Sequence, residues 1–180
     1  MSARRPPPVI VIVAGVSGSG KTTVGTRLAS QCRWEFMDGD SLHPAANVAK
    51  MASGIPLTDT DRAPWLAAMA AWIGAQAESG ESGVVACSAL KRRYREPLLA
   101  SSESVVMAFL LIDFEVAAAR LARRPGHFFD PKLLSSQFAT LEPPSADEGK
   151  VVPVPVRVLD EADDTVAEVT RLLGLAGAPA

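Results

Sequence analysis

Cysteine is scarce in this 180-residue chain. Cys32 and Cys87 stand alone, with no partner at metal-ligand spacing. That excludes a disulfide framework and a structural zinc site, and it fits a reducing, cytoplasmic setting. An excess of one charge is also missing. Eighteen basic against twenty acidic residues leave a net charge of −2. Nothing therefore draws the chain as a whole to nucleic acid or to an anionic membrane, and any anion site must be local. No apolar run approaches the ~20 residues of a membrane span. The stretch after "ARRPPP" is too short for one and has no cleavage site, so it does not read as a secretory signal. Residues 1–8 read as a flexible tail, and 9–180 as one domain. Asparagine occurs once, as Asn47 before valine, which removes the N-K-x-D base-reading motif of a GTPase.

What is present is 48% hydrophobic and 21% charged residues, a globular balance. Short Val- and Ile-rich runs at Val9–Ala14, Trp34–Met37, Val84–Cys87, Val105–Ile112 and Val151–Val158 do not alternate with polar residues. They read as strands buried on both faces. Helical patterns separate them. Trp65, Met69, Trp72 and Ile73 share one helix face, with Pro64 expected in that helix's first turn. Leu133, Leu134, Gln137, Phe138 and Leu141 mark another helix, with Asp130 as its expected N-cap and Pro131 its first residue. Strands alternating with helices predict a three-layer α/β fold with a five-stranded parallel sheet. Pro153 and Pro155 place the last strand at an edge, because prolines two apart remove donors on the same side.

"GVSGSGKT" satisfies G-x-x-x-x-G-K-[ST] in full and lies between a strand and a helix. Chance would produce that pattern in a chain of this length with a probability on the order of one per cent. Gly15, Val16, Ser17, Gly18, Ser19, Gly20, Lys21, Thr22 and Thr23 would cradle nucleotide phosphates, with Lys21 supplying charge and the Thr22 hydroxyl a ligand for Mg²⁺. The usual acid after the third strand is absent: Cys87 is followed by Ser88. Asp38 and Asp40, in "DGDSLHP", are the substitutes. Their spacing puts both carboxylates on one side of an extended chain, at the carboxyl ends of the strands; the bland alternative is loop capping. Arg120 and Arg124 lie four apart on a helix that "PGHFFDP" breaks, an arrangement that suits a mobile lid over 120–142 carrying positive charge to a transferring phosphoryl group. His43, before Pro44, either orders its loop or meets a substrate. Trp65, Trp72 and Cys87 read as core.

"GVSGSGKT", "DGDSLHPAANVAKMASGIPLTDTDRAPWL", "CSALKRRYR" and "RRPGHFFDPKLLSSQFATLEPP" resemble successive signature blocks of the gluconokinase family, from about Val9 to about Leu141. The resemblance implies an adenylate-kinase- and shikimate-kinase-like fold, a substrate-binding helical insert over 42–80, and ATP- and Mg²⁺-dependent phosphorylation of D-gluconate. It implies Asp38 in the Mg²⁺ shell, Asp40 on the acceptor hydroxyl, and Lys21, Asp40 and Arg124 in the chemistry. Gluconate carries a carboxylate, so a cation must meet it. Arg62, Lys91 and Arg95 border the expected crevice, with His43 and His127 as further substrate candidates, and the choice among them stays open. A homodimer also stays open. The alternatives are a kinase of another small acceptor, such as shikimate or a nucleoside monophosphate, and a nucleotide-binding module without turnover.

Overall fold

Each of the five apolar runs forms a strand. The computed structural model describes residues 6–123, 131–158 and 160–175. In chain order the elements are β1 (Ile10–Gly15), α1 (Lys21–Cys32), β2 (Glu35–Asp38), a 3-10 turn (Gly39–Leu42), α2 (Ala45–Ala52), α3 (Asp59–Ser79) and β3 (Gly83–Cys87), followed by α4 (Arg92–Ala100), β4 (Val105–Leu111), α5 (Phe114–Ala122), α6 (Pro131–Thr140), β5 (Val151–Pro155) and α7 (Ala162–Leu172). The sheet order is β2-β3-β1-β4-β5, with every neighbouring pair parallel.

Side chains that alternate along β1 divide between two cores. Ile10 and Ile12 pack with Trp65, Met69 and Ile73 of α3 and Leu98 of α4. Val11 and Val13 pack with Val24 and Leu28 of α1 and Val166 and Val169 of α7. Two helical layers therefore cover one sheet, which is why β1 is apolar at every position. Leu28 is completely buried; truncating such a residue to alanine costs about 2–5 kcal/mol.

The two-proline strand is at an edge, as its missing donors require. Pro153 and Pro155 face Phe109 and Leu111 of β4. Pro64 departs from expectation. Helix α3 starts at Asp59, earlier than its apolar face suggests, so Pro64 lies inside the helix. The start is set by a capping box: Asp61 N–H donates to Thr58 Oγ1 at 3.2 Å, and Thr58 N–H to Asp61 Oδ2 at 2.8 Å. Asp130 lies outside the described residues, while Pro131 does open α6.

The register brings Asp38, the last residue of β2, level with Ala86, while Ala14 of β1 is level with Cys87. The P-loop, the "DGDSLHP" stretch and the segment after β3 thus meet at one end of the sheet.

Candidate active site

The phosphate loop is shaped by glycine at positions no other residue fills easily. Gly18 has φ +80, and a Cβ there would come within 2.8 Å of the Ala117 carbonyl. Gly20 has φ +96 and forms the N-cap of α1. The loop braces itself internally. Ser19 is buried, its Oγ donating to Val16 O at 2.8 Å, and Lys21 Nζ donates to the same carbonyl at 2.9 Å. Thr22 and Thr23 are exposed in the first turn of α1, which contains no acidic side chain to compete with an anion.

The aspartate pair is not extended as its spacing suggests. The chain bends at Gly39, and Asp38 caps the 3-10 turn by accepting from Asp40 N–H at 3.1 Å. The bend requires glycine: a Cβ at Gly39 would sit 2.6 Å from Ala86 O. Trp65 Nε1–H holds the Gly39 carbonyl at 2.7 Å, and the Trp65 indole stacks on His43 with centroids 4.4 Å apart. Asp38 therefore has the local capping role, and Asp40 projects into the exposed region beyond it. Burial pushes the Cys87 thiol up to about 12, with Lys21 opposing and Asp40 adding to the shift. The register sets the loop that leaves β1 towards Lys21 and the turn that leaves β2 towards Asp40 on either side of the end of β3. Cys87 itself is an inert core residue.

His43 is ordered as well as placed. Its Nδ1 lies 3.3 Å from the Nδ2 of Asn47, the chain's single asparagine, which also donates to Asp61 O at 2.8 Å. An amide N–H₂ only donates, so Nδ1 accepts and the proton of the neutral ring is on Nε2. Burial lowers the His43 pKa; Asp40 opposes this and Arg62 adds to it.

The basic candidates separate sharply. Around the ring of Tyr94, the Arg62 and Arg93 guanidinium carbons lie 5.4 and 5.6 Å from the centroid, and Lys91 Nζ 5.8 Å. Arg93 is paired with Asp59 at 2.7 Å, and Tyr94 Oη–H also donates to Asp59. Arg62 is different: its Nε is buried and has no partner among the described residues. A buried donor left open costs about 1–3 kcal/mol, while the Arg62 side chain as a whole is only partly covered and has no ion-pair partner among the described residues.

Arg95 is not a substrate residue. It is completely buried and forms a two-pronged ion pair with Glu148, both bonds 2.7 Å long. Its Nη1 donates to the carbonyls of Ala89, Leu90 and Glu142. Ala89 has φ +39, a conformation that costs a non-glycine residue about 1–2 kcal/mol. Arg95 holds that loop in shape and is sealed from solvent, with every one of its nitrogens bonded within the protein.

Arg120 bridges two parts of the site. Its Nη1 lies 3.9 Å from where a Cβ on Gly20 would be, and its Nη2 donates to the carbonyls of Arg157 and Asp160, between β5 and α7. Arg124 and His127, and with them the centre of the expected lid, lie outside the described residues. Sequence reasoning missed Tyr94, the chain's only tyrosine, Glu148, and Gln137. Ser17 N–H donates to Gln137 Oε1 at 2.7 Å. The available signal for Gln137 was an amide on an otherwise apolar helix face.

Residues 10–142 match the AAA domain family. The chain is 52% identical over 143 residues to the gluconokinase of Gluconobacter oxydans, covering 78% of this chain and 79% of that protein. It belongs to the gluconokinase family. The crystal structure of a gluconokinase from Sinorhizobium meliloti superposes with a TM-score of 0.80 at 46% identity, over 96% of this chain and 94% of that one. Shikimate kinase from Aquifex aeolicus, 17% identical, covers 94% of this chain and 100% of its own at a TM-score of 0.55, a likeness of fold alone. The gluconokinase resemblance drawn from the four sequence blocks is borne out, and so is the P-loop kinase fold.

Proposed function

We propose that this chain transfers the γ-phosphoryl group of ATP to the 6-hydroxyl of D-gluconate, yielding 6-phosphogluconate and ADP. The observation that carries this reading is the convergence of three chemistries at one end of the sheet. Lys21 in a complete P-loop serves the phosphates, the exposed Asp40 serves a hydroxyl, and the half-exposed Arg62, which has no ion-pair partner among the described residues, serves a carboxylate. A binding module without turnover needs only the first. A nucleotide acceptor would bring phosphate charge to the arginine, whereas gluconate brings one carboxylate and a row of hydroxyls.

Lys91 is the third cation at Tyr94, after Arg62 and the Asp59-paired Arg93, and extends the same wall. His43, with its proton on Nε2, supplies a neutral donor between Asp40 and Arg62. Thr22 and Asp38 fit Mg²⁺. The hydroxyl is exposed at the start of α1, and one oxygen of Asp38 receives Asp40 N–H, so the other is left to act through water. Mg²⁺ when bound neutralises phosphate charge. Asp40 orients the acceptor oxygen towards the phosphoryl group, and because that transfer has a loose transition state, orientation outweighs base strength. Arg120, whose guanidinium approaches Gly20, serves the nucleotide in this reading. Two free cysteines fit a cytoplasmic setting, and no described helix is long and apolar enough to cross a membrane.

ADP release measured over gluconate, other sugar acids, shikimate and nucleoside monophosphates tests the reading. Gluconate should be turned over best. Turnover with shikimate or a nucleotide instead would move the chain to the other small-acceptor kinases, and ATP binding without turnover on any acceptor would leave a binding module. Asp40→Asn should lower kcat by ~100-fold with little change in ATP affinity. Asp38→Asn should raise the Mg²⁺ concentration for half-maximal rate. A reversed pattern between the two would exchange their roles.

A further inference from the structure

Gln137 sits three residues after Leu134, which is buried, and one before Phe138, which packs against both neighbouring core clusters. An amide at such a position is out of place unless both of its ends are used. Both are. Ser17 N–H donates to Gln137 Oε1 at 2.7 Å, and Gln137 Nε2–H donates to Ser17 Oγ at 2.9 Å. The two residues are 120 apart in the chain. The closed pair holds the amide in one orientation and docks α6 on the third residue of the P-loop.

The consequence runs through one peptide unit. The N–H of Ser17 and the carbonyl of Val16 belong to the same rigid plane and point in opposite directions. Gln137 grips the N–H end. The carbonyl end accepts from Lys21 Nζ at 2.9 Å and from Ser19 Oγ at 2.8 Å. If the Val16–Ser17 plane turned, its carbonyl would swing away from the lysine. Ser19 N–H also donates to that carbonyl, at 3.3 Å, so the loop braces the carbonyl end of the plane while Gln137 braces the N–H end.

We propose that Gln137 is a positioning residue for phosphoryl transfer: by holding the Val16–Ser17 peptide it sets where Lys21 rests. The nucleotide arm of this inference rests on the P-loop alone, and only its kcat arm rests on the gluconate kinase reading.

Gln137→Met keeps length and bulk without hydrogen bonds. With gluconate and ATP it should lower kcat by about tenfold, while the melting temperature stays within a few degrees. Binding of a non-hydrolysable ATP analogue, measured by calorimetry in the parent, Gln137→Met, Lys21→Ala and the double variant, separates a role through Lys21 from a general one. Gln137→Met should weaken binding several-fold in the parent and by less than twofold when Lys21 is already alanine. Equal losses in both backgrounds, or a kcat within twofold of the parent, would overturn the inference. If the methionine variant does not fold, Gln137→Asn withdraws the amide by one methylene and runs through the same cycle. Should the parent lack gluconate turnover, the functional reading fails while the analogue cycle still decides the role of Gln137.

Discussion

Arg62 and Arg95 carry the same charge on helices packed against each other, yet their surroundings are opposite. Arg95, on α4, is sealed from solvent and paired with Glu148, and its Nη1 is shared among three carbonyls. Arg62, on α3, is partly open, lies over the Tyr94 ring, and keeps a buried Nε without a partner among the described residues. The protein gives every nitrogen of Arg95 a partner and leaves one nitrogen of Arg62 without one among the described residues. A basic residue near a crevice is thus a substrate candidate only when its hydrogen bonds are incomplete.

Removing Arg95 should have the largest effect. Arg95→Met leaves the Glu148 carboxylate buried and unpaired, which costs about 3–5 kcal/mol. In a domain of this size that lowers the melting temperature by about 6–20 °C, measurable by calorimetry. Arg95→Met combined with Glu148→Leu should recover a large part of the loss, because the uncompensated charge is then gone. A single variant melting within two or three degrees of the parent would mean that the pair is not structural, and Arg95 would return to the substrate candidates.

Arg62→Met should act on the other side of the comparison. It should lower kcat/KM for gluconate by ~100-fold, the equivalent of about 2.7 kcal/mol of lost charge-assisted bonding, with melting temperature unchanged or slightly raised as an unsatisfied donor disappears. Initial rates over a gluconate series, set beside a thermal melt, read both quantities. A fall in melting temperature with unchanged KM would make Arg62 a second structural arginine.

The contrast also marks where the sequence is legible. Motifs contiguous in the chain were readable: the P-loop from Gly15 to Thr22, the apolar strands, and the edge position of β5 from Pro153 and Pro155. Arg62 and Arg95 were indistinguishable, because what separates them is Glu148, 53 residues beyond Arg95. The docking of Gln137 on Ser17 is hidden for the same reason. The bend at Gly39 was misread as extended chain because the obstruction to a Cβ comes from Ala86 on the neighbouring strand. The start of α3 differs in kind: Thr58 and Asp61 stand three apart in the sequence and signal a helix N-terminus, whereas the apolar face begins only at Trp65.

The smallest expected effect lies in the acid dependence of the Arg95 pair. Hydrogen bonding from Arg95, assisted by Ser145 N–H and the Arg95 and Arg92 charges, holds the Glu148 carboxyl below its ordinary value of 4.5, with burial opposing. A depressed carboxyl pKa gives stability that is fully present above the unfolded value and is lost as pH falls through the folded one. Glu148→Gln keeps the shape and one acceptor oxygen but removes the titration. At pH 7 it should be less stable than the parent. The gap should stay constant down to about pH 5 and narrow below 4.5 as the parent's Glu148 takes up its proton. Asp61 provides the internal control. Lys50 and the Thr58 backbone and hydroxyl bring its pKa to about 2, so it titrates alike in both proteins and cancels from the difference. Paired melts from pH 7 to pH 3 measure the gap. If it kept its size down to pH 3, Glu148 would contribute to stability by shape and hydrogen bonding alone, and the charge on Arg95 would be no more committed than the charge on Arg62.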